Sequence, residues 1–215
     1  MGWEKGQIFT QFRLEKKNNK TKILIKIKKQ NFKLEVKNIN IYNILSSLAV
    51  LNELNLNIKK IIKKFSTYEP VEGRGKIYTI KRYNKKFKLI DESYNANPLS
   101  VKNAINSLNN IKKQNFKKYL VLGDMLELGK KSTILHKGIS KVINNSDIDK
   151  VFIKGAKTLS AYKYLDINKR GNIFQQEEDV DFTFNNIISN NDYLMIKGSN
   201  ATGLNSFTKK IIKGN

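Results

Sequence analysis

Cysteine is absent from the 215 residues, which excludes disulfide scaffolds, thiolate metal sites and cysteine nucleophiles. The one histidine, His136, excludes a zinc site built from several imidazoles. Proline occurs twice, as Pro70 and Pro98. No stretch reaches the roughly 18 consecutive apolar residues of a membrane span, and Trp3 and Glu4 stand where a secretory signal would place an apolar run. These absences predict a soluble, cytoplasmic protein. With 40% hydrophobic and 10% aromatic residues the chain has enough apolar surface for a true core in one or two domains.

Acidic residues are also few, 18 against 41 basic ones, giving a formal charge of +23. Such an excess is the usual footprint of a nucleic-acid surface, which releases counterions from phosphates. Its make-up argues otherwise. Only four basic residues are arginine (Arg13, Arg74, Arg82, Arg170), and lysines run along the whole chain instead of clustering. Asparagine occurs 28 times, often in pairs such as Asn18-Asn19 and Asn144-Asn145. Lys, Asn and Ile share AT-rich codons, so we read the composition as genomic base bias and expect no nucleic-acid partner.

The chain changes periodicity twice. Ile8 to Leu14, Ile23 to Ile27 and Phe32 to Val36 alternate apolar and polar residues, which predicts three antiparallel strands. From Asn40 the period becomes helical, with Ile41, Ile44, Leu45, Leu48, Leu51 and Leu54 on one face, and a second amphipathic helix is expected over Ile58 to Phe65. The segment Tyr68 to Gly75 breaks all periodicity, so the sequence divides into residues 1–68, a hinge at 69–76 and residues 77–215. Beyond the hinge, a hairpin around Tyr83-Asn84 precedes strands near Tyr119–Leu122, Lys150–Ile153, Asn172–Phe174 and Tyr193–Ile196. Helices are expected near Leu99–Ile111, Ser132–Ile143, Ala156–Tyr164, Val180–Ile188 and Asn205–Ile212. This is an α/β pattern: a Rossmann-like domain with a mostly parallel sheet and helices on both faces. In such sheets ligands lie outside the carboxyl ends of the strands.

Three strand-end turns carry the chemistry-bearing residues: Asp91-Glu92-Ser93-Tyr94-Asn95-Ala96-Asn97-Pro98, Gly123-Asp124-Met125-Leu126-Glu127-Leu128-Gly129 and Lys197-Gly198-Ser199-Asn200. Each alone has a structural alternative. Asn97 with Pro98 suits a helix N-cap and first turn, and Asp91 or Asp124 could simply end a strand. His136, alone on an amphipathic helix, could simply pack.

Together these motifs resemble the C-terminal domain of the Mur ligases, in the branch that joins D-alanyl-D-alanine to UDP-N-acetylmuramoyl-tripeptide during peptidoglycan synthesis. Asn40-Ile41-Tyr42-Asn43 and Gly73-Arg74 resemble the family's central ATPase domain and hinge, so the resemblance runs from about Lys37 onward. It implies an ATP-dependent amide ligase using Mg²⁺. On this resemblance Asn40 and Asn43 lie on the adenine side, Arg74 follows the nucleotide, and Asp91 and Glu92 hold the ribose. Asn95, Asn97, Asp124, Glu127 and Ser199 receive the dipeptide, while Lys197 and His136 are the catalytic candidates. No metal ligand is assigned within the chain.

The family's Gly-x-x-Gly-Lys-Thr phosphate loop is absent, since Gly73-Arg74-Gly75-Lys76 lacks its spacing and Gly198 to Gly203 lacks its lysine. That loop, the Mg²⁺ ligands and the domain gripping the UDP-sugar would all precede Met1. Glu92, Ile39 and Asn200 stand where the family has Asp, His and Arg, which lengthens a ribose contact and removes a bidentate partner. The isolated chain is therefore expected to be inactive alone. It could also serve as one half of a split ligase with a separately encoded N-terminal half, or as a basic α/β binding protein that has lost ligase activity.

Overall fold

The computed structural model describes residues 10–17, 20–27, 30–36, 41–112 and 114–213. The chain divides into two compact units, Met1–Pro70 and Val71–Asn215. In the first, β1 (Thr10–Lys17), β2 (Lys20–Ile27) and β3 (Gln30–Val36) form an antiparallel sheet in the order β1-β2-β3, as the period-two pattern predicts; Ile8 and Phe9 lie outside the described residues. Ile23, Ile25 and Ile27 turn to one face with Phe32 and Leu34, and that face packs on Ile44, Leu48, Ile58 and Ile62. Leu24, Lys26 and Lys33 are exposed on the other face, as period-two alternation requires.

Helix α1 spans Ile41–Glu53. The sequence reading put Leu54 on its apolar face, but Leu54 is 63% exposed. The helix stops short of it. Asn55 enters the left-handed region (φ 53°), and the Leu56 N–H donates to the Leu51 carbonyl at 3.0 Å, closing the last turn. The next predicted helix is split. Helix α2 (Ile58–Ile61), capped by Asn57, tightens into a 3₁₀ turn over Ile62–Ser66.

The second unit is built on a six-stranded sheet of order β4-β5-β9-β6-β7-β8, formed by β4 (Lys76–Arg82), β5 (Lys85–Glu92), β6 (Lys118–Gly123), β7 (Lys150–Lys154), β8 (Arg170–Phe174) and β9 (Tyr193–Lys197). Only β4, paired with β5, is antiparallel. The α/β reading with a mostly parallel sheet holds. The β4–β5 turn is Tyr83-Asn84, both at positive φ (56° and 54°), which a two-residue hairpin turn with the right twist requires. An aromatic residue is unusual there; the Tyr83 hydroxyl donates to Asp181 Oδ1 at 2.6 Å and its ring stacks on Phe87.

Helices cover both sheet faces. Leu120, Leu122 and Met195 pack with α3 (Pro98–Asn109) and α4 (Ser132–Asn144), whereas Tyr119, Val121 and Ile196 pack with α6 (Glu177–Ile187) and α7 (Leu204–Lys213). With both faces covered, every residue of β6 is buried. The helix expected over Ala156–Tyr164 is only α5, Leu159–Tyr162. Asp124 holds Lys157 and Thr158 in the loop before it, and Gly155 sits at φ 125°, outside helical geometry. Among the described residues no helix is long and apolar enough to cross a membrane.

Candidate functional site

Strand order places the site. From β6 the chain steps outward to β7 and β8, then returns to insert β9 between β5 and β6. The strand order therefore reverses around β9, and a crevice opens at such a switch point, at the carboxyl ends. The turns 91–98, 123–129 and 197–200 follow β5, β6 and β9, three adjacent parallel strands.

Ser199 joins them. Its N–H donates to the Asp124 carbonyl (3.2 Å), its hydroxyl accepts from the Leu126 N–H (3.1 Å) and donates to the Ala96 carbonyl (3.5 Å), and it is 4% exposed. One buried hydroxyl thus links residues separated by up to 103 positions in sequence.

Asp91 is turned inward. Oδ2 accepts the Gly73 N–H at 2.7 Å, while Oδ1 accepts the Ser93 N–H and hydroxyl at 3.1 and 2.6 Å. Three donors occupy its two oxygens, so Asp91 pins the Gly73-Arg74-Gly75 turn to the end of β5. Gly73 is required there: at φ 74° a side chain would be strained, and its Cβ would meet Tyr94 Cβ at 2.6 Å. The pinned turn carries Arg74 outward, its guanidinium 4.3 Å from the Tyr94 ring centroid.

Glu92 and Lys197 form a coupled pair, Nζ to Oε2 3.5 Å. Lys197 is 2% exposed, and its Nζ also donates to the carbonyls of Glu92 and Asn95. Burial pushes the Lys197 ammonium below the ordinary lysine value; the Glu92 carboxylate opposes that shift and Arg74 adds to it. Burial pushes Glu92 above the ordinary carboxylate value, against the pull of Lys197 and with a further push from Asp91. The carbon-13 titration midpoint of the Glu92 carboxyl is expected to lie above that of free glutamate, and to rise further in Lys197→Met, where the opposing cation is gone. By linkage, the Glu92 contribution to stability falls as pH rises through that midpoint. A midpoint at or below the free value would show that the pair is not desolvated.

The remaining sequence-assigned residues divide. Asn97 is the N-cap of α3: its Oδ1 accepts the Ser100 N–H at 2.8 Å, the Ser100 hydroxyl accepts its N–H at 3.0 Å, and Pro98 follows. Asn95 is exposed, its Oδ1 accepting the Ala96 N–H at 2.7 Å. Asp124 accepts the Thr158 N–H and hydroxyl and the Lys157 N–H (2.7, 3.0 and 3.2 Å), so it anchors the turn after β7. Glu127 is exposed with φ 62°, a conformation that a non-glycine residue adopts at a cost of order 1 kcal/mol. Its carboxylate is the least engaged of those assigned.

His136 is 0% exposed. Its Nε2 accepts the Met125 N–H at 3.0 Å and its Nδ1 lies 2.8 Å from the Ser132 carbonyl, which fixes the neutral tautomer with the proton on Nδ1. Both nitrogens serve the chain itself, so His136 holds the 123–129 turn and is not positioned to touch a substrate. Asn43 is exposed on α1 in the first unit; Asn40 lies outside the described residues.

Sequence reasoning passed over Tyr94, Thr158 and Lys154. Lys154 ends β7 and is followed by Gly-Ala-Lys-Thr, a fourth strand-to-helix turn on the same sheet edge, a position that could have flagged it. Among the described residues no cluster of three or more His, Asp or Glu side chains could hold a metal ion.

A sequence profile described as Mur ligase, glutamate ligase domain, matches residues 74–200. The UDP-N-acetylmuramoyl-tripeptide--D-alanyl-D-alanine ligase of Buchnera aphidicola subsp. Baizongia pistaciae is 30% identical over 178 residues, covering 81% of this chain and 36% of that protein. The ligase of the same name from Rickettsia prowazekii is 29% identical over 157 residues, 73% of this chain and 34% of that protein. The chain thus spans about a third of the length of these curated relatives. Among solved structures, the MurF ligase from Thermotoga maritima in complex with ADP superposes with a TM-score of 0.76 at 19% identity, covering 98% of this chain and 47% of that one. MurF from Acinetobacter baumannii gives 0.78 at 20% identity, with 97% and 45% covered. At those identities the likeness establishes the fold.

Proposed function

The chain belongs to the Mur ligase family, and from that premise we propose that it furnishes the ligase domain, and the adjoining end of the nucleotide-binding domain, of an ATP-dependent enzyme joining D-alanyl-D-alanine to UDP-N-acetylmuramoyl-tripeptide in the cytoplasm. Relatives bearing that activity in their names cover most of this chain. The observation that supports the reading most is the gathering of the three family turns at adjacent strand ends around Ser199.

The donor set fits a nucleotide on the β5 side. Glu92 offers a carboxylate for sugar hydroxyls, and Arg74 offers an exposed guanidinium for phosphate oxygens. Asp91 supports them by fixing the Gly73 turn. ATP, when bound, supplies the phosphoryl group that activates the tripeptide carboxylate. This chain's part is to orient the reacting groups and exclude water around them. Asn95 and Glu127, the least engaged polar side chains of the assigned turns, face the incoming amine in this reading. Lys197 acts through the carbonyls of 92 and 95, shaping the turn that carries Asn95. We place the triphosphate cradle and its Mg²⁺ on a preceding segment or a separately encoded half.

The test is to combine this chain with the upstream two-thirds of the Buchnera relative and to measure phosphate release. Release is expected only with both polypeptides, ATP, the UDP-tripeptide and D-alanyl-D-alanine together. A folded, associated pair that releases none counts against the reading. Release that depends on a free amino acid instead of the dipeptide would move the chain to another branch.

A further inference from the structure

Lysines run through the whole sequence, yet the positive charge is uneven. Residues 1–70 hold 15 basic side chains against 5 acidic ones, so the first unit, a third of the chain, carries a surplus of 10 out of 23. Within it no acidic residue lies between Glu53 and Glu69, whereas four lysines do: Lys59, Lys60, Lys63 and Lys64, on α2 and the 3₁₀ turn that continues it. Ile58 and Ile62 of the same segment are buried against the sheet, so the lysine pairs between and after them face water. All four are exposed, and among the described residues none has a carboxylate within ion-pair distance. Lys59 with Lys63 and Lys60 with Lys64 stand four apart, where like charges on a helical surface repel. At roughly 1.5–2.0 Å per residue the four span about 10 Å, close to one screening length at 0.1 M salt, so they act together on a charged surface.

The same corner leaves aliphatic side chains in water. Val50 is 58% exposed, Leu54 63% and Leu56 47%. The Leu54 N–H donates to the Val50 carbonyl at 3.0 Å, which stacks these two on one face, and the turn through Asn55 brings Leu56 beside Lys59. Leu56 and Lys59 line one cleft of about 480 Å³ with Asn52, Asn55 and Gln30. Unpaired ammoniums next to exposed aliphatic groups suit an anionic bilayer, whose headgroup phosphates take the cations while the acyl boundary takes the aliphatic groups. A single-stranded nucleic acid calls instead for aromatic rings or guanidinium planes against its bases. Residues 54–66 contain no arginine, and their one aromatic, Phe65, packs against the core.

We propose that the α1–α2 corner of the first unit is a docking surface for an anionic lipid bilayer. Lys59, Lys60, Lys63 and Lys64 meet the phosphates, and Val50, Leu54 and Leu56 reach the acyl boundary. The cleft between them admits one headgroup, with the Asn52 and Asn55 carboxamides available to its hydroxyls. The attachment is peripheral and reversible, held by charge and a few aliphatic groups and weakened by salt. It uses none of the strand-end turns and does not depend on the ligase reading.

The experiment is co-sedimentation of the full chain with vesicles of phosphatidylcholine, alone or mixed equally with phosphatidylglycerol, in about 0.1 M NaCl. Binding is expected to the mixed vesicles only and should fall as salt rises. Changing Lys59, Lys60, Lys63 and Lys64 together to Gln should weaken partitioning about a hundredfold. That variant should melt no lower than wild type, since it loses like-charge pairs and no packing. Leu54→Ser with Leu56→Ser should weaken partitioning about tenfold. The same change of net charge made elsewhere, by Lys102, Lys112, Lys141 and Lys209 to Gln, should leave it within about threefold. Equal losses in the two lysine sets would overturn the proposal, because overall charge would then suffice. So would equal binding to pure phosphatidylcholine, no binding to either vesicle, or no effect of the leucine changes. Release of the chain from the vesicles by single-stranded RNA at matched phosphate would reassign the surface to nucleic acid, which also overturns it.

Discussion

Lys197→Met is expected to lower the unfolding free energy of the second unit by about 3 kcal/mol, the usual cost of breaking a buried ion pair by removing one partner. The ammonium is nearly inaccessible and is surrounded by oxygens: the carbonyls of Glu92 and Asn95 and the Glu92 carboxylate. Methionine fills a similar volume, so the loss reports unpaired polar atoms more than a cavity. Amide exchange along β5 and β9 would measure it. The wild-type pH dependence supplies a second readout with a definite sign. Because burial holds the folded-state Lys197 value below the ordinary one, the unfolded chain binds that proton more tightly. Wild-type stability should therefore rise as pH climbs through the folded value toward the unfolded one, and the variant should lack that rise. A loss below about 1 kcal/mol would mean that Lys197 is solvated in solution. It would then be free for direct contact with a phosphate or carboxylate.

The family motifs separate into two groups by what their polar atoms do. Asp91, Asn97, Asp124, His136, Lys197 and Ser199 spend theirs on the chain itself, at turns and helix starts. Arg74, Glu92, Asn95 and Glu127 keep exposed or half-exposed atoms. A ligase that must hold two reactants in near-attack geometry needs both groups, because a contact residue on an unsupported loop is poorly placed. The acidic pair expected on the ribose illustrates this. Asp91 and Glu92 are adjacent at the end of one strand, yet alternation sends consecutive side chains to opposite faces. Asp91 is buried under Gly73, and Glu92 faces the crevice beside Lys197.

That division marks how far the sequence could be read. Period-two runs such as Ile23-Leu24-Ile25-Lys26-Ile27 and the fully apolar core of β6 announce strands with one or two buried faces. The three turns stand at carboxyl ends because each directly follows such a run. Helix ends were less legible: Leu54 continues the apolar period, but Asn55 takes a left-handed conformation and stops α1 first. What periodicity cannot supply is strand order. Nothing local to Tyr193–Lys197 says that it inserts between β5 and β6, and only that insertion brings Ser199 to Leu126, 73 residues away, and Lys197 to Asn95, 102 residues away. The same limit hid the role of Asp124. Its partner Thr158 is 34 residues downstream, in a segment whose composition suggests a longer helix than the one that forms.

His136→Ala is expected to cost about 3 kcal/mol, and the cost should be in stability before it is in chemistry. The imidazole is fully buried and fills a gap between α4 and the 123–129 turn, accepting from Met125 and engaging the Ser132 carbonyl. Truncation leaves a cavity and an unsatisfied buried N–H at Met125, each worth roughly 1–3 kcal/mol when buried. Because Leu126 is tied to Ser199, loosening Met125 should also raise amide exchange at Leu126 and Ser199, and at Ala96, whose carbonyl accepts from the Ser199 hydroxyl. In the combined enzyme, a positioning residue predicts that activity falls in step with the loss of that exchange protection. It also predicts that the pH–rate profile keeps its shape, since no proton in the reaction belongs to His136. A reacting imidazole predicts the opposite: near-normal stability, a large loss of turnover, and the disappearance of one limb of the pH profile.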